Sequence, residues 1–210
     1  MATPGADPRV GRGSSLHSEF QTLLGVLVGI GLSAACGFRV FVPMLVAAIA
    51  IRSGALSAAD GFQWLGSTPA LVALSVATVF EIAAYYVPGL DHLLDTIASP
   101  AAVVAGTLVT ASFVTDVDPW IRWTLAAVAG GGAAALVQTA TVVARGASGM
   151  LTFGVANPVV ATAELAGASA TSFLSLVAPV VVVGAVLALG VWLALRLLRR
   201  RPTVTLDSSA

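Results

Sequence analysis

Three ionisable residues stand inside otherwise apolar sequence, where any chemistry or transport in lipid has to be done. Arg39 lies in "CGFRVFVPML", Glu81 in "PALVALSVATVFEIAAYYV" and Glu164 in "NPVVATAELAGA". A carboxylate at the centre of a membrane span costs about 3 kcal/mol, close to what the surrounding Leu, Ile, Val and Phe residues contribute. Glu81 therefore needs a partner, water or a proton, and Arg39 is the expected partner; Glu164 raises the same demand. The competing use of such a pair is a buried tie that fixes helix packing and touches no solute.

A second group is "VPGLDHLLDTIASP". Asp91 and Asp95 are four apart, hence on one face of a helix, with His92 beside them. Two carboxylates and an imidazole can ligate a divalent cation, a candidate cofactor in a chain whose cofactor is otherwise unknown. A solvated turn at the membrane surface is the blander reading. Asp116 and Asp118 before Pro119 look like a loop and helix start, with Arg122 as a partner. No nucleophile elbow, phosphate loop, zinc-helix motif or dinucleotide fingerprint is present, and the Gly130–Gly132 run lies inside apolar sequence.

These residues sit in a chain that is 58% hydrophobic with a mean hydropathy of +0.97 and 10% charged residues. A soluble domain carries about 25%. A lipid bilayer is the implied solvent, and a net charge of zero gives nucleic-acid binding no support. All basic residues are arginine, and Arg196, Arg199, Arg200 and Arg201 crowd the end of the last apolar run. That places the C-terminus on the cytoplasmic side of a plasma (inner) membrane; Arg9 and Arg12 argue more weakly for the N-terminus. The single cysteine, Cys36, excludes an internal disulfide framework. "LSAAC" resembles a lipoprotein cleavage site, but Ser33 stands where leucine is usual and further spans follow, so Cys36 reads as a packing residue.

Apolar segments run at about 20–36, 39–52, 69–88, 99–115, 121–144, 150–167 and 172–198. Residues 1–18 read as a disordered polar arm, 19–201 as the transmembrane domain and 202–210 as a tail. "STPALVAL" and "SPAAVVAG" each place a hydroxyl residue before a proline, the signal of a helix start. Gly25, Gly29, Ser33 and Gly37, and again Ala126, Gly130 and Ala134, put small residues on one helical face. Such faces let two backbones approach, within the chain or between copies in a homo-oligomer. Trp64, Trp120 and Trp123 suit membrane interfaces.

One phrase occurs twice. "GLSAACGFRVFVPML" (31–45) aligns without a gap on "GASGMLTFGVANPVV" (146–160), matching Gly31, Ser33, Phe38, Val40 and Pro43 to Gly146, Ser148, Phe153, Val155 and Pro158. Paired short segments interrupted by Gly and Pro point to a midplane binding site in membrane proteins with repeated halves. A helix that starts inside the membrane aims unpaired N–H groups at whatever sits there. The expected halves are about 20–88 and 121–198, joined by a helix at 99–115. Gly37 and Pro43 mark one joint, Asn157 and Pro158 the other.

The phrases "GIGLSAACGFRVFVPML", "E...YYVPGLDHLLDTIASPAAVVAG" and "GASGMLTFGVANPVV", in this order, resemble a bacterial integral-membrane family known as domain of unknown function 4126. The resemblance covers about residues 20–195. It implies a membrane location and supplies neither an activity nor a catalytic residue.

The expected fold is an all-α polytopic transmembrane bundle of six or seven segments, in two related halves with Gly/Pro-broken helices. The leading function is a small transporter or channel for an ion or solute, with Arg39, Glu81 and Glu164 lining the two joints. Two other classes stay open: a metal-dependent membrane enzyme acting on a lipid-like substrate through Asp91 and Asp95, and a structural or accessory membrane protein.

Overall fold

The computed structural model describes residues 8–87, 90–153 and 155–199, with side chains described over 19–87, 96–153, 155–196 and 198–199. Among the described residues there are seven helices and no strand, counting the unbroken run Pro119–Thr152 as one. They are α1 (Pro8–Cys36), α2 (Phe41–Arg52), α3 (Thr68–Ala84), α4 (Leu90–Phe113), α5 (Pro119–Thr152), α6 (Asn157–Val177) and α7 (Pro179–Arg199), with a 3-10 turn at Gln63–Gly66. In five of them an apolar stretch is long enough to cross a membrane: Glu19–Cys36, Thr96–Phe113, Pro119–Thr152, Asn157–Val177 and Pro179–Arg196. α2 and α3 are shorter apolar helices. The protein is an all-α membrane bundle.

Side-chain contacts fix the direction of each helix. Gly25 meets Phe113, Gly29 meets Thr110, and the Ser33 hydroxyl donates to the Gly106 carbonyl, so α1 and α4 are antiparallel. Arg52 Nη1 donates to Thr68 Oγ1 at 3.1 Å while Val40 N reaches Glu81, which makes α2 and α3 antiparallel. Gly130 packs on Thr110 and Gln138 Nε2 donates to Ser99, so α5 opposes α4 and runs parallel to α1. α6 returns along α1, with Ser175 at Gly31 and Ala161 at Arg39. α7 runs with α1 again, from Val182 beside Gly31 to Gly190 beside Leu136. One end of the bundle carries residues 53–67 and 114–118 (the loop end). The other carries residues 37–40 and the α5–α6 turn (the joint end).

The core forms where α1, α4 and α5 cross, around Leu32, Cys36, Ala102, Val109, Phe113 and Ala134. A Cβ added to Gly29 would stand 3.0 Å from Thr110 Cα, so glycine lets the two backbones approach more closely than a larger residue would without a shift. Ser33 and Thr110 hydroxyls, both fully buried, meet at 2.7 Å and satisfy each other across the seam. Ala126, Gly130 and Ala134 are buried, and Gly130 and Ala134 also meet α4, at Gly106 and Thr110. Both small-residue faces thus pack within the chain.

Several boundaries differ from the sequence reading. Residues 8–18, expected in a disordered arm, form the first turns of α1; residues 1–7 lie outside the described residues. No proline occurs between positions 9 and 42, so a helix nucleated in the apolar run propagates back towards Pro8. Ser99-Pro100 does not start a helix, because α4 is already formed from Leu90 and carries Pro100 in its interior. Neighbouring helices in a bundle tolerate such a proline by re-satisfying the freed carbonyl. Arg145 does not end the fifth segment; α5 continues 34 residues, about 51 Å at 1.5 Å per residue. The last boundary is at Ala178–Pro179 rather than at 168–171, because small residues such as Gly167 and Ser169 bend a helix less than proline does. Ser67 behaves as expected: its side chain caps α3 by accepting from Ala70 N at 3.3 Å.

A buried arginine–glutamate cluster as candidate functional site

α1 ends at Cys36 and α2 opens at Phe41, leaving residues 37–40 as a joint. Gly37 is buried against Ala134, Val137 and Gln138 of α5, where a Cβ would come within 2.6 Å of the Val137 side chain. With the backbone held against α5, Arg39 is turned inward and is 2% exposed. Its Nη2 donates to the Ala161 carbonyl at 2.9 Å and lies 3.7 Å from Glu164 Oε2. The guanidinium carbon stands 3.7 Å from the centre of the Tyr85 ring. Arg39 Nε and Nη1 have no hydrogen-bond partner among the described residues.

Glu164, eighth residue of α6, also binds Arg145 Nη2 of α5. Arg145 in turn lies 4.4 Å from the Tyr85 ring centre. Arg39, Arg145, Tyr85 and Glu164 are all buried. Two guanidinium groups therefore share one carboxylate and one aromatic ring, away from bulk solvent, where charge-assisted contacts are strong.

Glu81 does something different from what its position suggested. Its carboxylate accepts from Val40 N at 2.7 Å and from Phe41 N at 3.0 Å, closing the N-terminus of α2. The ion-pair partner of Arg39 is Glu164. A carboxylate is well placed on the positive end of a helix, where backbone N–H groups have no partner of their own.

The two joints are not equivalent. Pro43 is the third residue of α2 and is buried, whereas Pro158, second residue of α6, is exposed. Phe153 closes α5 with φ 52° in the left-handed region and is 96% exposed, and Val155 is 83% exposed. Asn157 opens α6 half-buried. The freed backbone of the second joint thus lies at the surface, not across a shared polar space from the first. Nor is the cluster at the middle of the bundle: Arg39 follows the Glu19–Cys36 apolar window by three residues, at the joint end.

Arg39, Glu81 and Glu164 are brought together as a group, joined by Tyr85 and Arg145, which sequence reasoning did not select. A signal for Arg145 existed: it is the lone charge between two apolar segments that α5 runs through. The side chains of Asp91, His92 and Asp95 lie outside the described residues. Among the described residues no group of three or more His, Cys, Asp and Glu side chains could hold a metal ion.

At the loop end a cavity of about 1060 Å³ opens between α1, α4 and residues 54–60, lined in part by Gln21, Ser57, Asp60, Thr115, Asp116 and Arg122. Arg122 Nη1 donates to the Asp60 carbonyl at 3.4 Å and its guanidinium faces Phe62, rather than pairing with Asp118. Asp118 instead caps α5 by accepting from Trp120 N at 2.9 Å.

No curated protein and no solved structure matches the chain. A family described as a domain of unknown function does, over residues 26–200, which takes in both joints and every residue of the buried cluster. With that match spanning most of its length, the chain belongs to the family domain of unknown function 4126.

Proposed function

We propose that the protein is a small membrane transporter whose solute site is the Arg39–Tyr85–Arg145–Glu164 cluster. The observation that carries this reading is the burial of two arginines and a glutamate inside an apolar bundle. Burying charge is costly even when paired, and intramembrane ionisable residues mark solute and ion pathways. The cavity of about 1060 Å³ at the loop end supplies an aqueous opening on the far side from the cluster. Between the two, α1 is sealed against α4 at Gly25, Gly29 and Ser33, which favours a carrier that alternates over an open channel.

The two phrases of the sequence support a duplicated unit of helix, joint and returning helix, α1–α2 and α5–α6. Both units start at the loop end, so the duplication is a parallel one about an axis along the membrane normal. Only the first joint contributes to the site; from the helices of the second unit come Arg145 and Glu164. Arg196 and the arginines after it favour a cytoplasmic joint end in a plasma membrane.

Reconstituted proteoliposomes test the reading with a panel of labelled probes: formate, inorganic phosphate, glycine, sodium and potassium. One of them should be taken up, and Arg145→Gln and Glu164→Gln should abolish uptake while the variants still fold as judged by their elution and melting. No protein-dependent flux of any probe would move the cluster to a purely structural role.

A further inference from the structure

The Glu81 carboxylate is held as a bound ligand would be. Both of its oxygens are used, one on each of two successive amides at the start of a 12-residue helix. That is the arrangement by which helix N-termini take up phosphates and carboxylates. The neighbouring guanidinium points to the same chemistry. Arg39 is 2% exposed, it directly precedes Val40, whose amide Glu81 holds, and its guanidinium lies on the ring of Tyr85, one helical turn from Glu81. Yet Arg39 Nε and Nη1 donate to nothing among the described residues, although buried N–H donors ordinarily find an acceptor and an oxyanion would supply one.

We propose that Glu81 is the tethered occupant of a small-oxyanion site, built from the Val40 and Phe41 amides and the Arg39 guanidinium, and that a carboxylate or phosphate group takes its place. This rests on the transporter reading and names its substrate class. The occupant can leave: Glu81 is only half-buried, and within α3 only Leu74 and Thr78 are buried, so this helix is lightly anchored. Rotation of the Glu81 side chain frees both amides without disturbing the α1–α4–α5 core. With the carboxylate withdrawn, the Val40 and Phe41 amides lose their acceptor beside the buried Arg39 guanidinium, and the vacancy attracts a negative charge.

Such a group can come from a free anion or from a lipid headgroup, since Arg39 stands just past the end of an apolar window. Thermal unfolding of the purified full chain separates these sources. Glu81→Ala in neutral maltoside detergent should melt below the parent protein. Sodium formate or inorganic phosphate should restore its melting temperature, at a concentration about tenfold lower than any effect on the parent, the size of one charge-assisted hydrogen bond. Adding Arg39→Gln to Glu81→Ala should remove the response. If Glu81→Ala does not fold, Glu81→Gln keeps one acceptor for one amide and opens the other, and should show the same response by calorimetry.

Restoration by formate or phosphate assigns a free anion. Restoration only in nanodiscs containing phosphatidylglycerol, and not in phosphatidylcholine, assigns a headgroup. No restoration beyond that of equimolar sodium chloride in any of these overturns the proposal. Solute flux that depends on Arg145 and Glu164 without this restoration would leave the transporter standing and remove only the oxyanion. Restoration without flux would do the reverse.

Discussion

Arg145 and Glu164 tie α5 to α6 inside the bundle, and the same carboxylate oxygen lies 3.7 Å from Arg39 Nη2. Two buried cations thus share this carboxylate. Removing it takes a charge partner from both, whereas removing either arginine leaves Glu164 the other. Breaking a buried pair costs about 3–5 kcal/mol because the remaining charge stays desolvated. Glu164→Ala should therefore lower the melting temperature more than Arg39→Ala or Arg145→Ala. An equal or smaller drop for Glu164→Ala would show that the arginines are compensated elsewhere.

The seam between α1 and α4 makes a packing prediction. A Cβ at Gly29 would meet backbone, which cannot rotate away, so Gly29→Ala should destabilise by about 1–3 kcal/mol. Gly184, on the outer part of α7, has nothing within 4 Å of an added Cβ. Gly184→Ala should leave stability unchanged or raise it, since alanine is the better helix former. Melting curves of the two variants in one detergent provide the comparison.

The start of α3 was legible in the sequence because its cause is local: Ser67 and Pro69 act on backbone groups three residues away or fewer. The same local signal misleads at Ser99-Pro100, where a helix formed by the preceding residues carries the proline along. Arg39 and Glu164 were recognisable as candidates because charge in apolar sequence is itself the signal. What hid Arg145 was the same rule, since a charge read as the end of a span cannot also be read as its interior. Its partner is nineteen positions away on another helix. The role of Glu81 was hidden for a related reason: the amides that it caps belong to α2, about forty residues earlier.

Alternating helix directions make a topological prediction. The seven helices alternate in direction, so residues 53–67 share one end of the bundle with the α1 start and Arg196 stands at the other. Cys36 is fully buried and is the only cysteine, so the parent protein should resist a membrane-impermeant maleimide in intact cells. Ser57→Cys should react from outside, and Ser148→Cys only after the membrane is opened. The opposite pattern would invert the orientation inferred from the terminal arginines.

Tyr85 offers the sharpest test of how the two arginines are held. Its ring centre is 3.7 Å from the Arg39 guanidinium carbon and 4.4 Å from that of Arg145, both inside the range of about 6 Å in which a ring attracts a cation. A desolvated contact of this kind contributes about 2 kcal/mol. Tyr85→Phe keeps the ring and removes only the hydroxyl; Tyr85→Leu keeps apolar volume and removes the ring's negative faces. If ring electrostatics hold the guanidinium groups, the leucine variant should melt well below the phenylalanine variant, and the gap should shrink when Arg39→Gln is added. If the ring serves only to fill space, the two variants should melt together and the added substitution should change neither relative to the other. The outcome also bears on the site itself, because a ring that holds both cations keeps Arg39 Nε and Nη1 in place for the group they would bind.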